Sequence, residues 1–140
     1  MFIIYKQLFR LMKRIYFNII IRRKYIMKKL EIIIPHERLE NANDVLDKFG
    51  VGGMSFYHIN GRGKTKWKPV PVGRGVIMHT PKYGSRTKIE VIVDDRLSND
   101  IINELLKQLT RGSVSDGKIF VYDVSQAYDI GSGQKNEFAI

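Results

Sequence analysis

The sequence predicts an α+β domain of β-α-β-β-α-β order, in which both helices cover one face of a four-stranded antiparallel sheet. Three observations lead there. Short strand-like runs recur at four places, two helical periodicities lie between the first and second and between the third and fourth of them, and an aperiodic stretch rich in Gly, Lys and Pro separates the middle pair. At 140 residues the chain is long enough to bury one core and not two, so a single domain over 27–140 behind a leader of 1–26 is expected.

The elements follow in order. Leu30-Glu31-Ile32-Ile33-Ile34, stopped by Pro35, has the length and boundary of a buried strand. Leu39, Ala42, Val45, Leu46 and Phe49 then recur at helical spacing and end at Gly50, a suitable left-handed terminator. Met54 to Asn60 reads as the second strand, and the loop is placed at Gly61 to about Arg86. Lys88 to Val93 resumes period-two alternation, with Ile89, Val91 and Val93 on one face. Ser98 is the expected cap of a second helix whose stripe is Ile101, Ile102, Leu105, Leu106 and Leu109. Lys118 to Tyr122 is the fourth strand, followed by a short extended segment around Tyr128 and Ile130. This is the split βαβ, ferredoxin-like arrangement. Each strand offers apolar groups on both sides, so the face without helices is expected to be buried against other copies of the chain.

Charge and composition narrow the function classes. Without cysteine there is no disulfide, thiolate nucleophile or Cys-based metal site, which fits a reducing cytoplasm. The net charge of +10 is concentrated in the leader, which carries Lys6, Arg10, Lys13, Arg14, Arg22, Arg23 and Lys24 and no acid; 17 basic against 14 acidic residues remain from residue 27 onwards. A body of +3 is weak support for a nucleic-acid binder. In the leader, Lys6, Arg10, Lys13 and Arg14 fall opposite Leu8, Leu11, Met12, Ile15 and Ile19 on a helical wheel, the pattern of a helix lying on an anionic membrane surface. Its longest uncharged run, Ile15 to Ile21, is too short to span a bilayer. The alternative is that translation starts at Met27, whose sequence opens the first strand directly.

Two glycine clusters stand at strand ends: Gly61-Arg62-Gly63-Lys64 after the second strand and Ser115-Asp116-Gly117-Lys118 before the fourth. Glycine there permits close backbone approach and lysine supplies a point charge suited to phosphate, although either cluster alone also reads as an ordinary turn. With Met27-Lys28-Lys29-Leu30-Glu31, Gly50-Val51-Gly52-Gly53-Met54, Lys88 to Val93, Asp116 to Val121 and the terminal Ala139-Ile140, these clusters resemble the signatures of the PII nitrogen-regulatory family, in its order and spacing across 27–140.

The resemblance implies a cytoplasmic homotrimer that holds an adenine nucleotide (ATP, ADP or AMP) in clefts between subunits. A protruding T-loop, Gly61 to about Arg86, would dock a partner such as an ammonium transporter or a nitrogen-metabolism enzyme. Carried over by position, Gly53, Met54, Ser55, Glu90 and the backbone of Ile92 lie near the base, and Gly61, Arg62, Gly63, Lys64, Asp116, Gly117 and Lys118 near the phosphates. Thr65, Arg86 and Ser115 are the effector candidates, and Lys66, Trp67, Lys68 and Arg74 the partner-facing loop residues.

The departures sit where the family does its ligand chemistry. Asp129 and Gly131 stand where family members place two phosphate-binding arginines, which favours ADP, AMP or another nucleotide over ATP. Thr65 replaces a glutamine that holds Mg2+ between ATP and 2-oxoglutarate, which leaves both ligands open. Met78 replaces the modified tyrosine, so no uridylylation or adenylylation is expected there. The loop is about two residues longer, and Arg111 and Ser115 replace Thr and Gly.

The remaining candidates are weaker. His36, His58 and His79 show no metal-ligand spacing. Asp94-Asp95 reads as a strand-to-helix turn and Asp116 as a turn former, so no catalysis is expected. Rival readings are a PII-like paralogue sensing a cyclic nucleotide or bicarbonate, and a nucleic-acid module built on Lys64 to Lys68. Trp67, with little to bury itself against, is the hot-spot candidate for protein docking.

Overall fold

In the computed structural model the described residues are 1–24, 27–64, 66–75 and 77–140. Thr65, the first effector candidate, lies outside them, as do Val76 and the side chain of Ile19. The leader forms helix α1 (Phe2–Lys24), and the body runs β1 (Met27–Ile34), α2 (Leu39–Lys48), β2 (Met54–Gly61), β3 (Val70–Val72), β4 (Ile77–His79), β5 (Gly84–Asp94), α3 (Asp95–Leu109) and β6 (Lys118–Val124). The main sheet is antiparallel in the order β2-β5-β1-β6, so β2 and β6 are its two edges.

The core forms because alternate residues of the central strands are β-branched or Leu and point to the helices. Leu30, Ile32 and Ile34 of β1 and Ile89, Val91 and Val93 of β5 pack against Ala42, Val45 and Leu46 of α2 and Ile101, Leu105 and Leu109 of α3. Gly50, at φ +67°, ends α2 as the sequence predicts. Val51 N–H donates to the Leu46 carbonyl and Gly50 N–H to that of Asp47, the paired bonds of a Schellman closure.

Four expectations are corrected. The cap of α3 is Asp94, whose carboxylate accepts from Arg96 N–H at 2.8 Å. Ser98 is instead buried inside the helix and donates to the Asp95 carbonyl. The loop is shorter and less irregular than expected, because Gly61 pairs with Gly84 and Ser85 and Arg86 belong to β5. Within it Val70–Val72 and Ile77–His79 form a small hairpin whose tip carries Gly73, Arg74 and Gly75 in the left-handed region. Finally, the centre of the helix-free face is ionic rather than apolar.

There Lys29 donates to Glu90 at 2.9 Å, Lys88 lies 2.9 Å from Glu31 and 3.4 Å from Glu90, and Tyr57 Oη donates to Glu90 at 3.2 Å. The exposed apolar groups of that face come from the edges: Tyr57 on β2 and Phe120 and Tyr122 on β6. Lys29 is the leading cause that holds the Glu90 carboxyl below its ordinary value, and Glu31 the leading cause that raises Lys88.

Every buried core residue lies between Met27 and Leu109, and α1 supplies none among the described residues. A chain beginning at Met27 should therefore unfold cooperatively within about 2 °C of the full-length protein, as read by thermal denaturation; a much larger drop would show that the leader supports the fold.

Candidate functional site

Two concavities gather the residues singled out by the sequence. The first, of about 710 Å3, runs along the edge strand β2 and is lined by Gly53, Met54, Ser55, Glu90 and Ile92, all five residues expected near the base. The volume suits a small organic ligand. Its opposite wall comes from the C-terminal segment, with Asp129, Phe138 and Ile140. Asp129 accepts from Ser132 N–H at 2.6 Å and Ser132 Oγ at 2.8 Å, bonds that hold its carboxyl below the ordinary value. With Glu90 already paired to Lys29, this groove has apolar and backbone surface for a flat ring and no surplus of cations for phosphate.

The second concavity, of about 590 Å3, lies at the opposite end of the sheet, where β5 begins and α3 hands over to β6. It brings together Arg86 and Ser115, two of the three effector candidates, with Asp116, Arg111, His36 and Trp67. Asp116 is the organiser. Its Oδ2 accepts from Arg111 N–H at 2.7 Å and Ser113 N–H at 3.1 Å, and its Oδ1 accepts from Arg38 Nη1 at 3.0 Å. The two backbone donors, with Arg38 after them, pull the Asp116 carboxyl down to about 2. The same Arg38 nitrogen donates to the Leu109 carbonyl at 2.5 Å, so one buried guanidinium joins the last turn of α3 to the loop beyond it.

Gly117 follows at φ +128°, where a Cβ would collide with the Ile33 carbonyl oxygen. Close approach, anticipated from the sequence, is thus a requirement at this glycine. Lys118 begins β6 opposite Ile33 with its side chain exposed.

The base and phosphate candidates are not brought together within one chain. Gly53 to Ser55 lie on one edge of the sheet, Gly117 and Lys118 at the start of the other edge, and Gly61, Arg62, Gly63 and Lys64 leave the far end of β2. Lys66, Lys68 and Arg74 are exposed on the loop, whereas Trp67 is half-buried and packed on Gly84, contrary to the expectation that it has little to bury itself against.

Sequence reasoning missed Arg38, whose partners Leu109 and Asp116 are 71 and 78 residues away. It also missed the edge-to-face pair of His36 and His58, 4.7 Å apart, and the His36 Nδ1 contact with Thr87 Oγ1 at 3.0 Å. No local spacing signals such contacts. Among the described residues no cluster of His, Asp and Glu is arranged to hold a metal, and no helix is long and apolar enough to cross a membrane.

Comparison with known proteins decides the family. Residues 27–134 match the family model described as nitrogen regulatory protein P-II. The chain belongs to the PII nitrogen-regulatory family. PII relatives similar to it include the nitrogen regulatory protein P-II of Haemophilus influenzae, 33% identical over 114 residues that make up 81% of this chain and 100% of that protein. The P-II 1 protein of Escherichia coli K12 is 29% identical over the same coverage. Two solved B. subtilis structures share the PII fold. A GlnK has a TM-score of 0.66 at 30% identity over 82% of this chain and 99% of that one, and a GlnK-ATP complex a TM-score of 0.65 at 29% identity over 82% and 98%.

Because its folded value is depressed, Asp116 contributes stability that is complete above its ordinary value of 3.8 and is lost as pH falls through about 2. Asp116→Asn should lower the melting temperature at pH 7, and the gap to wild type should close as pH approaches 2; a gap independent of pH would refute the carboxylate's role. Gly117→Ala should cost about 2 kcal/mol or more, measured by denaturant unfolding.

Proposed function

We propose that this PII protein is a non-catalytic regulator that senses an adenine nucleotide at subunit contacts and signals through its long loop. The observation that carries this reading is the split between the two edges of the sheet. Gly53, Met54, Ser55, Glu90 and Ile92 form a ring-sized groove on one edge, and the Gly117-Lys118 turn lies at the other, so a ligand gripped by both takes one from each of two copies. Closure by three copies would also cover the edge aromatics Tyr57, Phe120 and Tyr122. Support for a nucleotide comes from the similar B. subtilis GlnK, whose structure is described as an ATP complex.

The loop from Arg62 to Tyr83 leaves and re-enters the sheet at the Gly61–Gly84 pair, beside the cavity that holds Arg86, Arg111 and Ser115. A ligand that contacts this root favours one subset of loop conformations and thereby alters affinity for a partner. An ammonium transporter or a nitrogen-metabolism enzyme in the cytoplasm is the proposed target. Lys66, Lys68 and Arg74 are the exposed cations that would meet it.

Asp129 in the base groove supports a second reading, in which the physiological ligand carries less phosphate charge than ATP: ADP, AMP or a cyclic nucleotide. Calorimetry with ATP, ADP, AMP and cyclic AMP, with and without 2-oxoglutarate and Mg2+, separates the two. ADP or AMP should bind at least as tightly as ATP. Asp129→Asn should tighten ATP about three- to tenfold, the effect of removing a nearby like charge worth about 1 kcal/mol. Silence toward every adenine compound would refute both readings.

A further inference from the structure

Trp67 is the only tryptophan of the chain, and it is drawn from the long loop onto the first residue of β5. A Cβ on Gly84 would fall within the indole ring, so the absence of a side chain there creates the seat. Gly84 is buried as a result, although it lies at the start of the strand. Two residues on, on the same side of the strand by alternation, the Arg86 guanidinium carbon lies 5.0 Å from the centre of the tryptophan ring. Arg86 Nη1 donates to the Ser85 carbonyl at 2.8 Å. Trp67 and Arg86 line the same cavity as Arg111 and Ser115.

A guanidinium can engage an aromatic ring and still direct in-plane N–H donors at a phosphate or carboxylate. Contact with Trp67 therefore restrains Arg86 without consuming the donors an anion needs. We propose that Trp67 is a positioning residue: seated on Gly84, it holds Arg86 toward the Arg111 and Ser115 wall, so that an anionic group bound in this cavity fixes the root of the loop. This rests on the reading above that a ligand contacts the root of the loop beside this cavity. Coupling of this kind is reciprocal, so whatever loosens Trp67 weakens the anion, and the anion tightens Trp67.

Gly84 does not have a positive φ, so alanine is compatible with its backbone and Gly84→Ala acts chiefly by evicting the indole. The test compares full-length wild type with Gly84→Ala, Trp67→Ala and Trp67→Phe. Binding of ATP, tripolyphosphate and 2-oxoglutarate is measured by calorimetry, and Trp67 exposure by acrylamide quenching of its fluorescence. In the free wild type Trp67 should be shielded, and it should be open in Gly84→Ala; the bound anion should shield it further. Affinity should fall about three- to thirtyfold in Gly84→Ala and Trp67→Ala and recover substantially in Trp67→Phe. A response to tripolyphosphate assigns the cavity to a phosphate chain, and one to 2-oxoglutarate alone to a carboxylate. ATP bound equally by wild type and Trp67→Ala, or an indole as accessible in wild type as in Gly84→Ala, would overturn the positioning role while leaving the nucleotide reading intact. If none of the three ligands bound wild type, both would fall.

Discussion

Arg38 and Asp116 set the geometry on which the end of the sheet around the Arg86 and Arg111 cavity depends. The guanidinium reaches from the turn after β1 to the last carbonyl of α3 and to the Asp116 carboxylate, which in turn gathers the backbone N–H groups of Arg111 and Ser113. Three chain segments distant in sequence are thereby fixed at one point. The pair is largely shielded from water, and removal of either partner would strand the other with an incomplete set of bonds. Because the turn is held there, Gly117 can be pressed against the Ile33 carbonyl, and Lys118 begins β6 in register with β1. Ser115 and Arg111 take their places around the cavity from the same restraint.

The division of labour across the sheet follows from chemistry at its two ends. Around Gly53 and Ile92 the surface is apolar and backbone-rich, with Glu90 neutralised by Lys29, and it is suited to a flat uncharged ring. Around Arg86 and Arg111 it is cationic and polar, suited to an anion. Nucleotides have those two halves. In the proposed trimer a ligand bridges the groove beside β2 of one copy and the Gly117-Lys118 turn of another, and the loop root, beside the cationic cavity, responds to how that contact is filled.

Much of this was legible from residues alone, and the limits have physical causes. The two central strands declare themselves because Leu30 to Ile34 and Lys88 to Val93 are short runs rich in β-branched residues with one buried alternate set, and Gly50 marks a helix end because few other residues tolerate its backbone. Gly53, Met54, Ser55, Glu90 and Ile92, singled out by resemblance alone, line one groove. Missed features depend on contacts between distant residues: Asp94 rather than Ser98 caps α3, since both are capping types and only the path of β5 selects between them. Loop ends were misplaced because Gly61 and Gly84 lack the side chains that carry a strand signal, yet their backbones pair. Trp67 looked stranded because the seat it occupies is made by an absent side chain 17 residues away.

Native mass spectrometry of the full chain with ADP tests whether a ligand is shared between copies of this PII protein. Expected is a species of three chains that takes up at most three nucleotides and loses them when it dissociates. Single chains that retain nucleotide, or a stable monomer with no trimer at micromolar concentration, would contradict it.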